Sequence, residues 1–466
     1  MLSCIDGQGE HRSSPSREDE RATALERRTL LGNNGIMLKL LLPLALLFPT
    51  LALAQTPSPA ELEKSVTALV GFGTRHSLST TTDPKRGIGA ARDWAAREFD
   101  RIGRACGGCL TVERMSRRFV GPRAPNGVII ENVLAIQPGS DPTRYVLIGG
   151  HIDSMPSDVM DFTSDAPGAN DDASGTSVVL EAARLLSKRK FAATIVYAIF
   201  SGEEQGLWGA TLLAETAKAR GWKIDAMLNN DIVGNSISQG GVKTGDRVRV
   251  FSESIRAADS LVEHMMRRAD GSEDDGPSRA LAKYVDRVAD ALPGKFDVFV
   301  DRRPDRFGRG GDHEPFLALG YPAVRFTSGG ENWDRQHQNV RTENGRDYGD
   351  LLVGIDFDYL AKVAAINVAA LSQLAAAPSA PSGVTIAGAL SRDTTVAWGA
   401  VPGAAAYKVY WRRTDNQAWQ ANRTVTGATT TLLSDVPVDD HFVGVAAVSA
   451  DGAESLVTFA GRAPRR

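Results

Sequence analysis

Residues 203 and 204 are adjacent glutamates that follow an apolar run, 194–200 (TIVYAIF). The run reads as a buried strand of a parallel sheet. Two carboxylates at its mouth are costly unless a cation balances them. Neighbouring side chains at a strand end diverge, so one can hold a metal ion while the other handles the proton of a water. Alone, Glu203 and Glu204 would read as a solvated acidic turn, but other strand ends carry matching groups. His151 and Asp153 form H-x-D after the run 144–150 (RYVLIGG), and Asp171 sits in a glycine-flanked turn, 168–175 (GANDDASG). Asp231 follows the run 224–229, and His337 lies in WDRQHQ, 333–338. Asp172 reads as an acid at a helix N-terminus, favoured by the dipole. His151, Asp171, Glu204, Asp231 and His337 are a donor set suited to two Zn2+ ions, with Co2+ or Mn2+ as possible substitutes. One carboxylate can bridge two such ions about 3.5–4 Å apart, and such pairs activate water for hydrolysis.

These donors need strands to deliver them. The pattern predicts helices at 58–71, 90–102, 174–187, 207–219 and 359–374, with the first opening on Ser58-Pro59 as cap and first-turn proline. Strands are expected at 127–137, 144–150, 194–200, 224–229, 296–300 and 323–326. Residues 254–292 read as helical and mixed in charge, with a break at 271–277. Alternating strand and helix argue an α/β three-layer sandwich around a mixed, largely parallel sheet. Sites in such sheets lie at the carboxyl ends of strands, where His151, Glu203, Glu204 and Asp231 fall.

The chain has 466 residues, room for two or three domains, and a net charge of −3 that gives no sign of nucleic-acid binding. Residues 1–36 are polar and charged. An apolar stretch then runs over 40–54 and ends Ala52-Leu53-Ala54, which reads as a signal peptide with an A-x-A cleavage site. The expected mature chain starts near Gln55, is secreted or periplasmic, and keeps no membrane anchor. Cys106 and Cys109 form C-x-x-C with no second pair to complete a zinc site, so a local disulfide is expected. The expected domains are an upstream extension with signal peptide at 1–54, a catalytic domain at 55–374, a Pro/Ala/Ser linker at 375–382 and an all-β sandwich at 383–466. In the last, Trp398 and the run 407–411 (YKVYW) resemble the core of a fibronectin type III domain. His441 stands where that family places a corner tyrosine.

Read together, GGHIDS (149–154), GANDDASG (168–175), SGEEQGLWGA (201–210), NNDIVG (229–234) and GDHEPF (311–316) resemble the secreted bacterial dizinc aminopeptidases of leucyl type, relatives of glutamate carboxypeptidase II and the transferrin receptor. FGTRHS (72–77) also looks like that family's N-terminal segment, and the resemblance covers roughly residues 58–374. It implies a zinc exopeptidase-like fold and one ion held by His151, Asp171 and Asp231. It implies a second ion held by Asp171, Glu204 and His337. Glu203 becomes the general base that takes the proton of the attacking water and passes it to the leaving amine, and Asp153 orients His151. The implied partner is a peptide with a free N-terminus. One departure concerns the family's oxyanion-stabilising tyrosine: near His337 there are Trp333 and Arg335, and the loop before Asp312 offers Phe307 and Arg309. The competing readings are a single-zinc glutaminyl cyclase, a dizinc carboxypeptidase or deacylase with an inserted lid domain, and a receptor-like relative without metals. The five filled donor positions and the intact Glu203 weigh against the first and third. The charged, helical character of 254–292 weighs against the second.

Overall fold

Side chains along the central strands alternate between two apolar faces, and helices cover both. In the computed structural model, which describes residues 56–463, the strands are β1 (Thr111–Gly121), β2 (Ala124–Gln137), β3 (Asp141–His151), β4 (Ala193–Phe200), β5 (Lys223–Asn230), β6 (Arg247–Phe251), β7 (Asp297–Asp301) and β8 (Ala323–Ser328). They form one sheet in the order β1-β2-β4-β3-β5-β8-β6-β7. The centre, β4-β3-β5-β8, is parallel, while β2 joins β4 and β6 joins β8 antiparallel. Ile195, Tyr197 and Ile199 of β4 enter one core. It is shared with α1 (Pro59–Val70), α2 (Gly87–Ala105), α3 (Ala173–Leu186), α6 (Pro277–Asp290) and α8 (Phe357–Ala376). Val196, Ala198 and Phe200 face the other core, under α4 (Trp208–Ala219) and α7 (Glu314–Ala318). The expected three-layer α/β sandwich is therefore present, its strand period of two splitting each strand between the layers. Parallel strands buried on both faces explain why 194–200 is apolar at nearly every position after Thr194.

Sequence reading missed β6, the short α7 and the full length of β1. In β1, hydrophobic and charged residues alternate irregularly near the sheet edge. α5 (Leu261–Asp270) and α6 flank the break expected at 271–277. α5 opens on a capping box in which Ser260 and Glu263 satisfy each other's backbone N–H. The N-cap Ser58 of α1 accepts from the Glu61 N–H as expected. Cys106 and Cys109 are bonded to each other just beyond α2. The region 1–54, with its expected signal peptide, lies outside the described residues.

Residues 385–462 form two four-stranded sheets around Val396, Trp398, Tyr407, Val409, Val443 and Val445. His441 Nδ1 lies 3.1 Å from the Pro437 carbonyl oxygen. It thus reaches a backbone carbonyl four residues upstream. The segment 375–382 is not the flexible tether its composition suggests. Ala377 is buried and its carbonyl accepts from Arg144 Nη1 at 2.9 Å, while Thr458 Oγ1 donates to the Pro381 carbonyl at 2.7 Å. The sandwich is also docked on the α5–α6 region. Arg412, from the sandwich, pairs with Asp275 with both side chains buried, and Leu456 joins the main core. Arg287 of α6 stacks over Tyr410. The Arg412 Nε is already without a partner. Asp275→Ala would take the carboxylate from this buried guanidinium and leave it only the Asn416 carbonyl, and we expect a loss of about 3–5 kcal/mol of unfolding free energy. A denaturant midpoint equal to that of the parent chain would contradict this docking.

Candidate metal centre

His151 is the last residue of β3, Glu203 and Glu204 follow β4, and Asp231 follows β5. All stand at the carboxyl edge of the parallel centre, where strands end and side chains can converge. Asp171 arrives from the turn that opens α3. That turn packs tightly: a Cβ at Gly150 would lie 2.7 Å from the Gly175 carbonyl carbon, and one at Gly175 would lie 2.1 Å from the Asn230 carbonyl oxygen. Only glycine allows the helix start to approach β3 and β5 this closely. Asp172 caps α3 by accepting from the Gly175 N–H at 2.8 Å, and its other oxygen accepts from the His151 N–H at 3.0 Å. The helix-end acid read from sequence thus also ties α3 to β3.

The donors gather in two groups. His151 Nε2 lies 3.2 Å from Asp171 Oδ1 and 3.8 Å from Asp231 Oδ1. His337 Nε2 lies 3.0 Å from Asp171 Oδ2 and 3.1 Å from Glu204 Oε1. Asp171 therefore offers one oxygen to each group. Donors bound tetrahedrally at about 2.1 Å from a zinc ion sit about 3.4 Å apart, so both spacings suit an ion. Two further observations fit a cation here. His151 Nε2 is buried with no hydrogen-bond partner, and so are both carboxylate oxygens of Asp312. Burial and the neighbouring acids Glu204, Asp231 and Asp312 push the Glu203 carboxyl well above its usual range. Burial, opposed by His151 but reinforced by Asp153, Asp231 and Glu204, does the same to Asp312. For His151, burial favours the neutral ring, but Asp153, Asp171 and Asp231 outweigh it and raise its proton affinity well above normal. This crowd of carboxylates fits divalent cations.

Asp153 is expected to orient His151, and the structure shows which partners its carboxylate has. Its side chain comes within 3.7 Å of His151 Nδ1, whose hydrogen-bond partner is the Asp153 backbone carbonyl at 3.1 Å. The carboxylate accepts from the backbone N–H groups of Glu203 at 3.3 Å and Glu204 at 3.2 Å, and from Ser77 Oγ at 3.1 Å. It thereby fixes the acidic turn to the β3 loop. Within the FGTRHS stretch, fully buried Arg75 donates to the carbonyls of Ile152, Pro167 and Gly168, joining the two loops that carry His151 and Asp171. Burial lowers its pKa to about 10.

Three participants were not found from sequence. Arg325 of β8 is fully buried, with Nη2 2.8 Å from Asp231 Oδ1 and Nη1 3.1 Å from Asp305. An arginine inside the apolar run 323–326 was a usable signal, because a buried guanidinium requires a carboxylate partner. Asp350 accepts from the backbone N–H of Asn170 at 2.9 Å and of Asp171 at 2.7 Å, and nothing local marks it. Asp312 lies in GDHEPF, which was singled out without a role for this residue.

An α/β domain with paired histidine–carboxylate groups at its strand ends defines a candidate metal-dependent hydrolase. The family model described as Peptidase family M28 matches residues 132–351. The chain is 42% identical over 415 residues to a "Probable zinc metalloprotease" of Pyrenophora tritici-repentis, covering 88% of this chain and 86% of that one. It is 40% identical over 412 residues to a protein of the same description from Pyricularia oryzae, covering 86% and 82%. The chain belongs to peptidase family M28. These two relatives are fungal, so its kinship reaches beyond the bacterial enzymes whose motifs it resembles. Among solved structures it is similar to the LapA aminopeptidase of Legionella pneumophila, with 16% identity, 69% of this chain and 72% of that chain covered, and a TM-score of 0.49.

Proposed function

We propose that this chain is an exported zinc aminopeptidase that removes N-terminal residues from peptides, with a fibronectin type III-like domain at its C-terminus. The single observation that carries the two-ion reading is Asp171, whose oxygens serve the His151–Asp231 group and the Glu204–His337 group respectively. His151, Asp171 and Asp231 would hold one ion, and Asp171, Glu204 and His337 the other. The description of the fungal relatives as probable zinc metalloproteases supports zinc as the metal. When bound, the ions supply Lewis acidity toward the scissile carbonyl and the attacking water. Glu203 takes the proton of that water and delivers it to the departing amine nitrogen. Asp153 holds the Glu203 backbone in place for both transfers. The cavity lined by Asp171, Glu203, Glu204, Asp231 and His337, about 670 Å³, has the size of a small-ligand site.

Elemental analysis of the purified protein, combined with aminoacyl-nitroanilides and their N-acetylated counterparts, tests the proposal. We expect two zinc ions per chain, turnover of substrates with a free amine, and none of the blocked ones. Cleavage of blocked substrates, or of C-terminal residues, would replace the aminopeptidase reading with the carboxypeptidase or deacylase one.

A further inference from the structure

The cavity beside Glu203 lacks a tyrosine among its described lining residues and instead presents three arginines, Arg123, Arg306 and Arg309. Their hydrogen bonds distinguish them. Arg306 has all its nitrogens engaged: Nε with Asp305 at 2.9 Å, Nη1 with Glu331 at 3.5 Å and Nη2 with the Gly310 carbonyl at 3.0 Å. Arg123 is exposed on the β1–β2 turn and donates to the Glu204 carbonyl. Arg309 is anchored at one corner only, through Nη1 to Glu331 Oε2 at 2.6 Å. Among the described residues its Nε and Nη2 have no hydrogen-bond partner. The anchor is firm. Glu331 is 8% exposed, and its other oxygen accepts from Arg249 Nη2 at 2.9 Å. After Glu331, the charges most strongly felt by Arg309 are Asp171 and Asp231, two of the candidate metal donors. A guanidinium pinned at one edge, with its remaining donors uncommitted in the cavity of the general base, is pre-organised to meet negative charge that develops there.

We propose that Arg309 is the catalytic residue that stabilises the oxyanion of the peptidase reaction, an inference that rests on the aminopeptidase reading above. The water oxygen adds to the carbonyl carbon, and the carbonyl π pair moves onto its oxygen while Glu203 holds the proton removed from water. The resulting oxyanion accepts a charge-assisted hydrogen bond from Arg309. Collapse re-forms the carbonyl, breaks the C–N bond and sends the Glu203 proton to the amine nitrogen, so electrons and protons balance without any co-reactant.

The test uses Arg309→Gln and Arg309→Lys in the metal-loaded full chain, with Arg123→Gln beside them. We expect Arg309→Gln to lower kcat about 10²–10³-fold, the usual worth of one oxyanion donor, with KM and metal content nearly unchanged. Arg309→Lys should restore part of the loss. In calorimetric titration, binding of a phosphinic pseudodipeptide, a tetrahedral anion, should weaken by a similar factor in Arg309→Gln while binding of the free amino-acid product holds. A rise in KM with kcat unchanged would overturn the proposal, as would a loss confined to substrates bearing a free C-terminal carboxylate. A larger kcat loss in Arg123→Gln would assign the role to that residue instead. If the parent chain itself fails on aminoacyl substrates, the functional reading falls; if it turns them over and Arg309→Gln does so equally well, only this inference falls.

Discussion

Glu203→Gln is expected to keep the fold and both metal ions while kcat falls by about 10²–10⁴, the usual worth of a positioned general base. On the proposed mechanism the loss can exceed that range, because the same group would also return the proton to the leaving amine. Glutamine preserves the shape of the side chain. The turn itself is set by the backbone N–H groups of residues 203 and 204 donating to Asp153, which the substitution leaves intact. Neither histidine–carboxylate group that includes Asp171 uses Glu203 as a donor. A static charge argument treats Glu203 and its neighbour Glu204 alike; the structure does not, because Glu204 Oε1 faces His337 Nε2. Glu204→Gln should therefore lower metal content at one site, whereas Glu203→Gln should not. Turnover near that of the parent chain in Glu203→Gln, measured with two ions per chain, would place the base elsewhere.

Asp171→Ala is expected to be the more damaging substitution at the level of metal. Both oxygens are committed, one toward His151 and one toward His337, so removing the carboxylate takes a donor from both groups at once. We expect neither site to retain a stoichiometric ion after dialysis, and kcat/KM to fall at least a thousandfold, about 4 kcal/mol of barrier. The backbone of the turn should survive, since the Asp171 N–H remains bonded to Asp350 and the neighbouring Asp172 still caps α3. Elemental analysis against His337→Ala gives the contrast, since that variant should lose one ion. Two tightly held ions per chain in Asp171→Ala would show that the groups are independent and that no carboxylate is shared between them.

The docked C-terminal sandwich changes how the chain divides. A Pro/Ala/Ser stretch is a fair signal of a tether, because such residues favour extended, solvated backbone. Here the same small residues pack between Arg144 and Thr458 instead. Short side chains leave the backbone carbonyls accessible as acceptors, so the same composition serves either outcome, and only the surrounding contacts choose.

The sequence by itself determined where the strands end and which side chains wait there. Short apolar runs such as 194–200 and 144–150, each ending at or near glycine, read as buried parallel strands through their length and flanks, and the residues after them, His151, Glu203, Glu204 and Asp231, inherit the carboxyl edge of the sheet. The tertiary structure decided what the residue types leave open. The two oxygens of Asp171 are divided between two groups only because α3 begins against β3, at the glycines that permit it. Arg412 meets Asp275 across 137 residues of chain, and Asp350 holds the Asp171 turn from 179 residues away. Such pairings carry no local signal, since neither a propensity nor a period at one position records what a residue more than a hundred positions distant will bring to it.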